Sequence, residues 1–173
     1  MATLDLRPMR PSSPFKRLTL SNKQAQLDHL QNKRSKRLTS VTNMHGYVQN
    51  IEKAALDNTD FRRVVYTSTN SQIVLMSIKA GEEIGAETHD LDQFFRVEAG
   101  EGKVILDGIE HEVSDGFAIL IPEGTLHNVI NTGDEDLKLY SIYTPPQHED
   151  GTVHHTKAEA DAAEEHFDGE TTE

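Results

Sequence analysis

Gly81-Glu-Glu-Ile-Gly-Ala-Glu87-Thr-His89-Asp-Leu-Asp-Gln93, running on to Gly100, and Gly116-Phe-Ala-Ile-Leu-Ile-Pro122-Glu-Gly124-Thr-Leu-His127-Asn-Val-Ile-Asn131 hold most of the residues with chemistry to offer. Both blocks are punctuated by glycine, the residue that tight turns favour, so Gly100, Gly116, Gly124 and Pro122 read as corner residues. Around them the chain alternates short β-rich runs with turn signals. Arg62–Tyr66, Gln72–Ile78, Phe94–Glu98 and Lys103–Leu106 come first, and Asp107-Gly108 is a hairpin turn into Ile109–Val113. Asp115-Gly116 then precedes Phe117–Ile121, followed by Leu126–Ile130 and Leu137–Tyr143. Many short strands with Gly-centred turns predict an all-β fold, a closed antiparallel barrel or jelly roll.

Two short helices flank this core. Asn50 is placed to cap a helix over Ile51–Leu56 that stops at Asp57-Asn58. Pro145-Pro146 ends the last long strand, because proline cannot continue a ladder. Thr156-Lys-Ala-Glu159 has capping-box spacing and opens a helix from Ala158 to about His166, with Asp168–Glu173 expected to fray.

The two blocks resemble the paired motifs of the cupins. In that family the first motif is Gly, five residues, His-x-His, three or four residues, Glu, six residues and Gly. The second is Gly, five residues, Pro-x-Gly, two residues, His, three residues and Asn. The second is matched at every fixed position, from Gly116 through His127 to Asn131. The first keeps its spacing, but Glu87 stands at the first His position and Gln93 at the Glu position. The resemblance covers roughly residues 60–145. The stretches Asp92–Glu98 and Tyr140–Gly151 are similar to small single-domain cupins often called mannose-6-phosphate isomerase-like. It implies a double-stranded β-helix, expected over 46–146; composition adds a basic, disordered N-terminal arm or targeting segment over 1–45, and a C-terminal segment with a short helix and acidic tail over 147–173.

Glu87 and His89 are two apart, so on a strand they share a face. The resemblance brings Gln93 and His127 to the same cavity and implies a metal site of one carboxylate, one amide oxygen and two imidazoles. Such a set suits a divalent ion, Zn, Mn, Fe or Ni. The opposing reading is a barrel without metal in which Glu87 and Gln93 are ordinary polar residues. Zinc-dependent phosphomannose isomerases are similar in using Gln, Glu and two His. Isomerisation or epimerisation of a sugar-like substrate is therefore the first functional expectation. A quercetinase-like dioxygenase and a non-catalytic small-ligand module are the alternatives. Arg62, Arg63 and Arg96 are the candidates for holding a phosphate, with strand alternation able to turn each to solvent. Tyr66, Tyr140 and Tyr143 are expected to pack in the core or an interface, and Phe94, Phe95 and Met76 to line the core or cavity. His148, His154 and His155 are expected on a solvated surface segment, with a lid as the alternative, and His111 facing water.

Composition narrows the rest. At 173 residues, one domain with polar extensions fits a hydrophobic fraction of 35% and a mean hydropathy of −0.59. Without cysteine there is no disulfide framework, thiolate metal site or Cys nucleophile. No apolar run approaches a membrane span or a secretory signal, so a cytoplasmic protein is expected, with organelle targeting by the basic arm as an alternative. Residues 1–40 carry nine Lys or Arg against Asp5 and Asp28, a charge of +7; with −12 overall, the remainder carries −19. So acidic a body repels nucleic acid, leaving a small molecule as the expected partner. A homodimer through an edge strand at Ile73–Met76 is also expected.

Overall fold

The computed structural model describes residues 46–173, so the basic arm expected over 1–45 lies outside the described residues. The chain enters through α1 (Ile51–Asp57), capped as anticipated: the Asn50 side chain accepts from Lys53 N at 3.0 Å. Eight strands follow: β1 (Arg62–Thr67), β2 (Gln72–Ile78), β3 (Asp92–Ala99), β4 (Glu101–Leu106), β5 (Ile109–Ser114), β6 (Ala118–Ile121), β7 (His127–Asn131) and β8 (Leu137–Thr144). A two-residue strand, β9 (Val153–His154), and α2 (Lys157–Ala162) complete the order. Among the described residues no helix is long and apolar enough to cross a membrane.

The strands form a six-stranded sheet in the order β6-β3-β8-β2-β1-β9 and a three-stranded sheet in the order β5-β4-β7. All the named pairings are antiparallel. Residues 83–87 extend the smaller sheet through bridges from Glu83 to Ile130 and from Glu87 to His127. The two sheets enclose one apolar core, the jelly-roll arrangement that the strand pattern predicts.

Turn chemistry explains how the strands reverse. At the β4–β5 hairpin Asp107 has φ 47° and Gly108 has φ 82°, the positive pair that a tight two-residue turn needs. Gly100 meets a different constraint. With φ 90°, a Cβ placed there would lie 2.8 Å from Asp136 O, so a side chain would force the β3–β4 corner off the loop before β8.

Period-2 alternation sets the interior. On β8, Leu137, Leu139, Ser141 and Tyr143 are buried, while Lys138, Tyr140 and Ile142 are less so. On β3 the inward set is Gln93, Phe95 and Val97, and Phe94 lies on the other face against Tyr140. The inward rows of β2, β3 and β8 are apolar at one end and carry a polar residue, Gln72, Gln93 and Ser141, towards the other. Gln93 pairs in register with Tyr143, and Phe95 with Ser141, so Gln93 and Ser141 are diagonal neighbours at the same end of the interior. Burying a side chain such as Phe95 contributes about 2–3 kcal/mol, and these rows are what hold the sheets together.

Several expectations need correction. β2, which contains Ile73–Met76, lies between β1 and β8 and has no free edge, so it offers no strand-to-strand dimer contact. The edges of the larger sheet are β6 and β9. Helix α2 stops at Ala162 rather than near His166, although its cap is present, with Thr156 Oγ1 accepting from Glu159 N at 3.2 Å. The final residues are tied down rather than frayed. Thr172 N donates to Thr67 O at 3.0 Å, and Thr67 N donates to Thr172 Oγ1 at 2.8 Å.

Candidate metal centre

Two turns bring the motif residues together. Thr125 N donates to Pro122 O at 3.1 Å, closing the turn that leads into β7, and Gly124 N donates to His89 O at 2.9 Å. The second block is thereby fastened to the first. Glu87 and His127 face each other directly and exchange both backbone hydrogen bonds at 2.9 Å, which places their side chains as cross-strand neighbours. Asn128 steadies the same pairing, accepting from Gly85 N at 3.1 Å and donating to Glu83 Oε2 at 2.8 Å. His89 follows on an irregular stretch rather than the strand its spacing suggests.

Glu87, His89 and His127 converge. Glu87 Oε1 lies 3.2 Å from His89 Nε2 and 3.4 Å from His127 Nε2. One ligand atom from each lies within 4.8 Å of the others, close to the span that two donors about 2.1 Å from one ion can cover. His127 is 2% exposed, and its Nδ1 lies 3.0 Å from the Thr125 carbonyl. A carbonyl only accepts, so Nδ1 carries a proton and Nε2 is the titrating nitrogen, facing Glu87; once its proton is lost, the ring is the tautomer a metal ligand requires.

Three buried atoms here make no hydrogen bond outside the cluster: Gln93 Oε1, and His89 Nε2 and His127 Nε2, which lie 3.2 and 3.4 Å from the Glu87 carboxylate. Gln93, 1% exposed, donates from Nε2 to Ser141 Oγ at 3.3 Å, which fixes the amide and leaves Oε1 unpaired. It pairs across the ladder with Tyr143, whose ring stands edge-on to His89 at 5.8 Å. The residues therefore fit a divalent cation: a half-buried carboxylate, two imidazole nitrogens and an amide oxygen, the last three with no hydrogen bond outside the cluster.

Electrostatics agree with this. Burial raises the Glu87 carboxyl, yet hydrogen bonds and charge from His127 and His89 outweigh it and bring the pKa down to about 2. Burial lowers the His127 imidazole, but Glu87 and the Thr125 carbonyl reverse this and leave it raised. Burial, with a smaller push from Glu87, drives the Tyr143 phenol well above its ordinary range.

Other candidates separate cleanly. Arg62 turns inward, its side chain 13% exposed, its Nε unpaired and its guanidinium 3.8 Å from Glu165. Arg63 pairs with Asp60, and Arg96 lies 3.7 Å from Glu98. Tyr143 is a core residue that also touches the site. His111 is exposed as expected, and His155 bonds Asp60 Oδ1 at 2.6 Å through a largely exposed ring. His148 contradicts the solvated-segment expectation: it is 5% exposed and stands edge-on to Tyr143 at 5.1 Å. Sequence reading missed it because two contacts remote in sequence bury it. Gln72 bonds both its backbone groups, and Glu165 binds its ring.

An antiparallel barrel with a buried Glu–His–His cluster at the polar end of its interior defines a class of small barrels suited to binding metals and small molecules. The chain belongs to the cupin domain family, whose profile matches residues 74–143. It is similar to uncharacterised protein YrkC of Bacillus subtilis (strain 168), 48% identical over 126 residues spanning 69% of this chain and 68% of YrkC. It is also 42% identical over 113 residues to uncharacterised protein L612 of Acanthamoeba polyphaga mimivirus, covering 62% of this chain and 70% of L612. Among solved structures, BH2720 from Bacillus halodurans is 52% identical with a TM-score of 0.68, covering 70% of this chain and 98% of that one.

Proposed function

We propose that this cupin holds a divalent metal ion through Glu87, His89, Gln93 and His127, and acts on a small, oxygen-rich substrate by moving a proton between adjacent carbons, as a sugar isomerase or epimerase does. One observation carries the reading: two buried imidazole nitrogens with no hydrogen bond outside the cluster converge on a carboxylate held ionised, and the Gln93 amide oxygen is buried and unpaired. Leaving buried polar groups unpaired costs about 1–3 kcal/mol each, a cost that bound metal removes. When bound, the ion would polarise neighbouring carbonyl and hydroxyl oxygens of the substrate.

The chain's own residues do the rest. Ser141 holds the Gln93 amide so that its oxygen is the free end, and Thr125 holds the His127 tautomer. Tyr143 packs edge-on against His89 and belongs to the apolar core, so the cluster is backed by apolar side chains on that side. Arg62 is the inward cation among the three arginines considered, and Glu165 lies beside it. That pairing favours a substrate of low charge over a multiply charged phosphate.

The test is deuterium exchange. Protein loaded in turn with zinc, manganese, iron or nickel is incubated in heavy water with a panel of aldoses, ketoses and α-hydroxycarbonyl compounds, and carbon-bound deuterium is followed by NMR. Incorporation that needs both the metal and Glu87 supports the reading. Loaded protein that exchanges none of the panel above the metal-free level contradicts the isomerase chemistry.

A further inference from the structure

The inward face of the smaller sheet is only partly covered. Register sets three rows across β7, β4 and β5: His127, Leu106 and Ile109; Val129, Val104 and His111; Asn131, Gly102 and Val113. Paired residues on neighbouring antiparallel strands point to the same face, about 5 Å apart. The row that begins at His127 therefore continues through Leu106 to Ile109. Its β7 end is buried, whereas at the β5 end Ile109 is 62% exposed, with His111 exposed beside it. β5 and β6 are edges of their two sheets and do not pair with each other.

A cleft of about 360 Å³ opens between those two edges, a volume within the range of small-molecule sites. Val104, Leu106 and Val113 line it from the smaller sheet, and Phe117 and Ile119 from the β6 side. Its one carboxylate is Glu112, and no Lys or Arg lines it. Leu106 belongs to both places, lining the cleft and pairing with His127. The cluster is open to solvent too, since the Glu87 side chain is partly exposed. Among the described residues six large apolar side chains are exposed, and four of them gather here: Phe117 and Leu120 on the cleft, Ile109 on the His127 row, and Leu126 next to His127. Exposed apolar side chains scattered singly need no explanation, but a concave group of them beside a ligand set marks a binding surface.

We propose that this cleft receives the apolar part of the molecule whose oxygens bind at the Glu87–His89–His127 cluster. The inference rests on the metal reading above and narrows the substrate class. The substrate is an α-hydroxycarbonyl compound, or a similar oxygen chelator, that carries an aliphatic or aromatic group, in preference to a bare sugar or a sugar phosphate. Three observations choose this occupant. Leu106 puts the cleft one side chain from His127, within reach of a short group attached to the chelating end. The volume is that of a small molecule. The absence of Lys and Arg from the lining leaves nothing there to hold a phosphate. A second copy of the chain is the competing occupant, and Glu112 and the acidic body oppose it, because that face would meet its own charge. Ile109 and Phe117 thereby become specificity residues, touching the hydrocarbon and not the reacting atoms.

Hydroxamates test this, because they chelate a metal through two oxygens while their hydrocarbon can be varied. Zinc-loaded protein is titrated calorimetrically with acetohydroxamate and with hexanohydroxamate. A fully buried methylene is worth about fourfold in affinity, so the longer chain in a half-open cleft should bind roughly ten- to hundredfold tighter. In Ile109→Asp, compared at equal zinc content, that ratio should fall to about threefold or less. Ile109 is exposed, so the substitution leaves the core intact. Phe117→Ser, on the opposite edge, should lower the ratio as well. Hexanohydroxamate that binds wild type no tighter than acetohydroxamate, or a ratio that survives both substitutions, contradicts this inference alone. So does sedimentation showing a wild-type dimer that Ile109→Asp dissociates, because a second copy then occupies the cleft. Wild type that takes up neither zinc nor acetohydroxamate contradicts this inference and the metal reading together.

Discussion

Asn131 and His127 sit four residues apart on β7, both facing the barrel interior and almost equally buried, at 1% and 2% exposed. Their surroundings differ completely. The Asn131 amide donates to Ile78 O and Glu135 O, each at 2.8 Å, and accepts from Gly133 N at 2.9 Å. Every polar atom of its side chain is used within the chain. His127 uses Nδ1 on Thr125 and leaves Nε2 with no hydrogen bond outside the cluster, 3.4 Å from the Glu87 carboxylate. Both residues close the same motif, yet one is a structural fastening and the other an unfilled donor. Burial alone does not mark a site; burial without satisfaction does.

Replacing Asn131 gives the largest effect expected from this contrast. Asn131→Ala strands two carbonyls and one backbone N–H, so the metal-free protein should lose about 3 kcal/mol of stability, read as a lower denaturation midpoint. Ser141→Ala acts at the other end of the interior. It frees the Gln93 amide to rotate and should weaken metal affinity roughly ten- to hundredfold, measured by competition with a chelating dye.

The pH dependence is opposite for metal and for metal-free protein. Glu87 is depressed from 4.5 to about 2, so its contribution is complete above 4.5 and is lost as pH falls towards 2. His127 is raised above 6.5, so its contribution is complete below 6.5 and is lost as pH rises through the folded value. The two shifts describe one contact and count once. Metal must displace the His127 proton, so metal affinity should fall roughly tenfold per pH unit below that raised value, checked by the same competition assay at several pH values. The smallest effect belongs to His111→Ala on exposed β5, which should change stability by less than about 0.5 kcal/mol and leave metal uptake untouched.

How much of this was legible depended on whether the signal was local. The β4–β5 hairpin, the Asn50 cap and the Thr156 cap each rest on residues within a few positions, and each formed where the sequence placed it. The convergence of Glu87, His89 and His127 was legible through the resemblance of the two blocks to the cupin motifs, whereas spacing alone related only Glu87 to His89 and assumed a strand that His89 does not occupy. Strand order is not local. Ile73–Met76 is apolar because β2 lies inside the larger sheet, and the run itself carries no mark separating that from an edge contact. His148 failed for the same reason. Gln72 and Glu165, which bury and orient it, lie 76 and 17 residues away, and a polar segment rich in His, Glu and Asp reads as solvated until the fold closes over it. The extent of α2 was overestimated because a cap marks where a helix starts and not where it ends.

The central claim is that the unpaired atoms around Glu87 are ligands. Elemental analysis of protein purified without an affinity tag or added metal, alongside His127→Ala, tests it most directly. The account predicts near-stoichiometric divalent metal in the wild type and its loss in a variant that still folds. Wild type that carries no metal and takes up none of the added zinc, manganese, iron or nickel contradicts it.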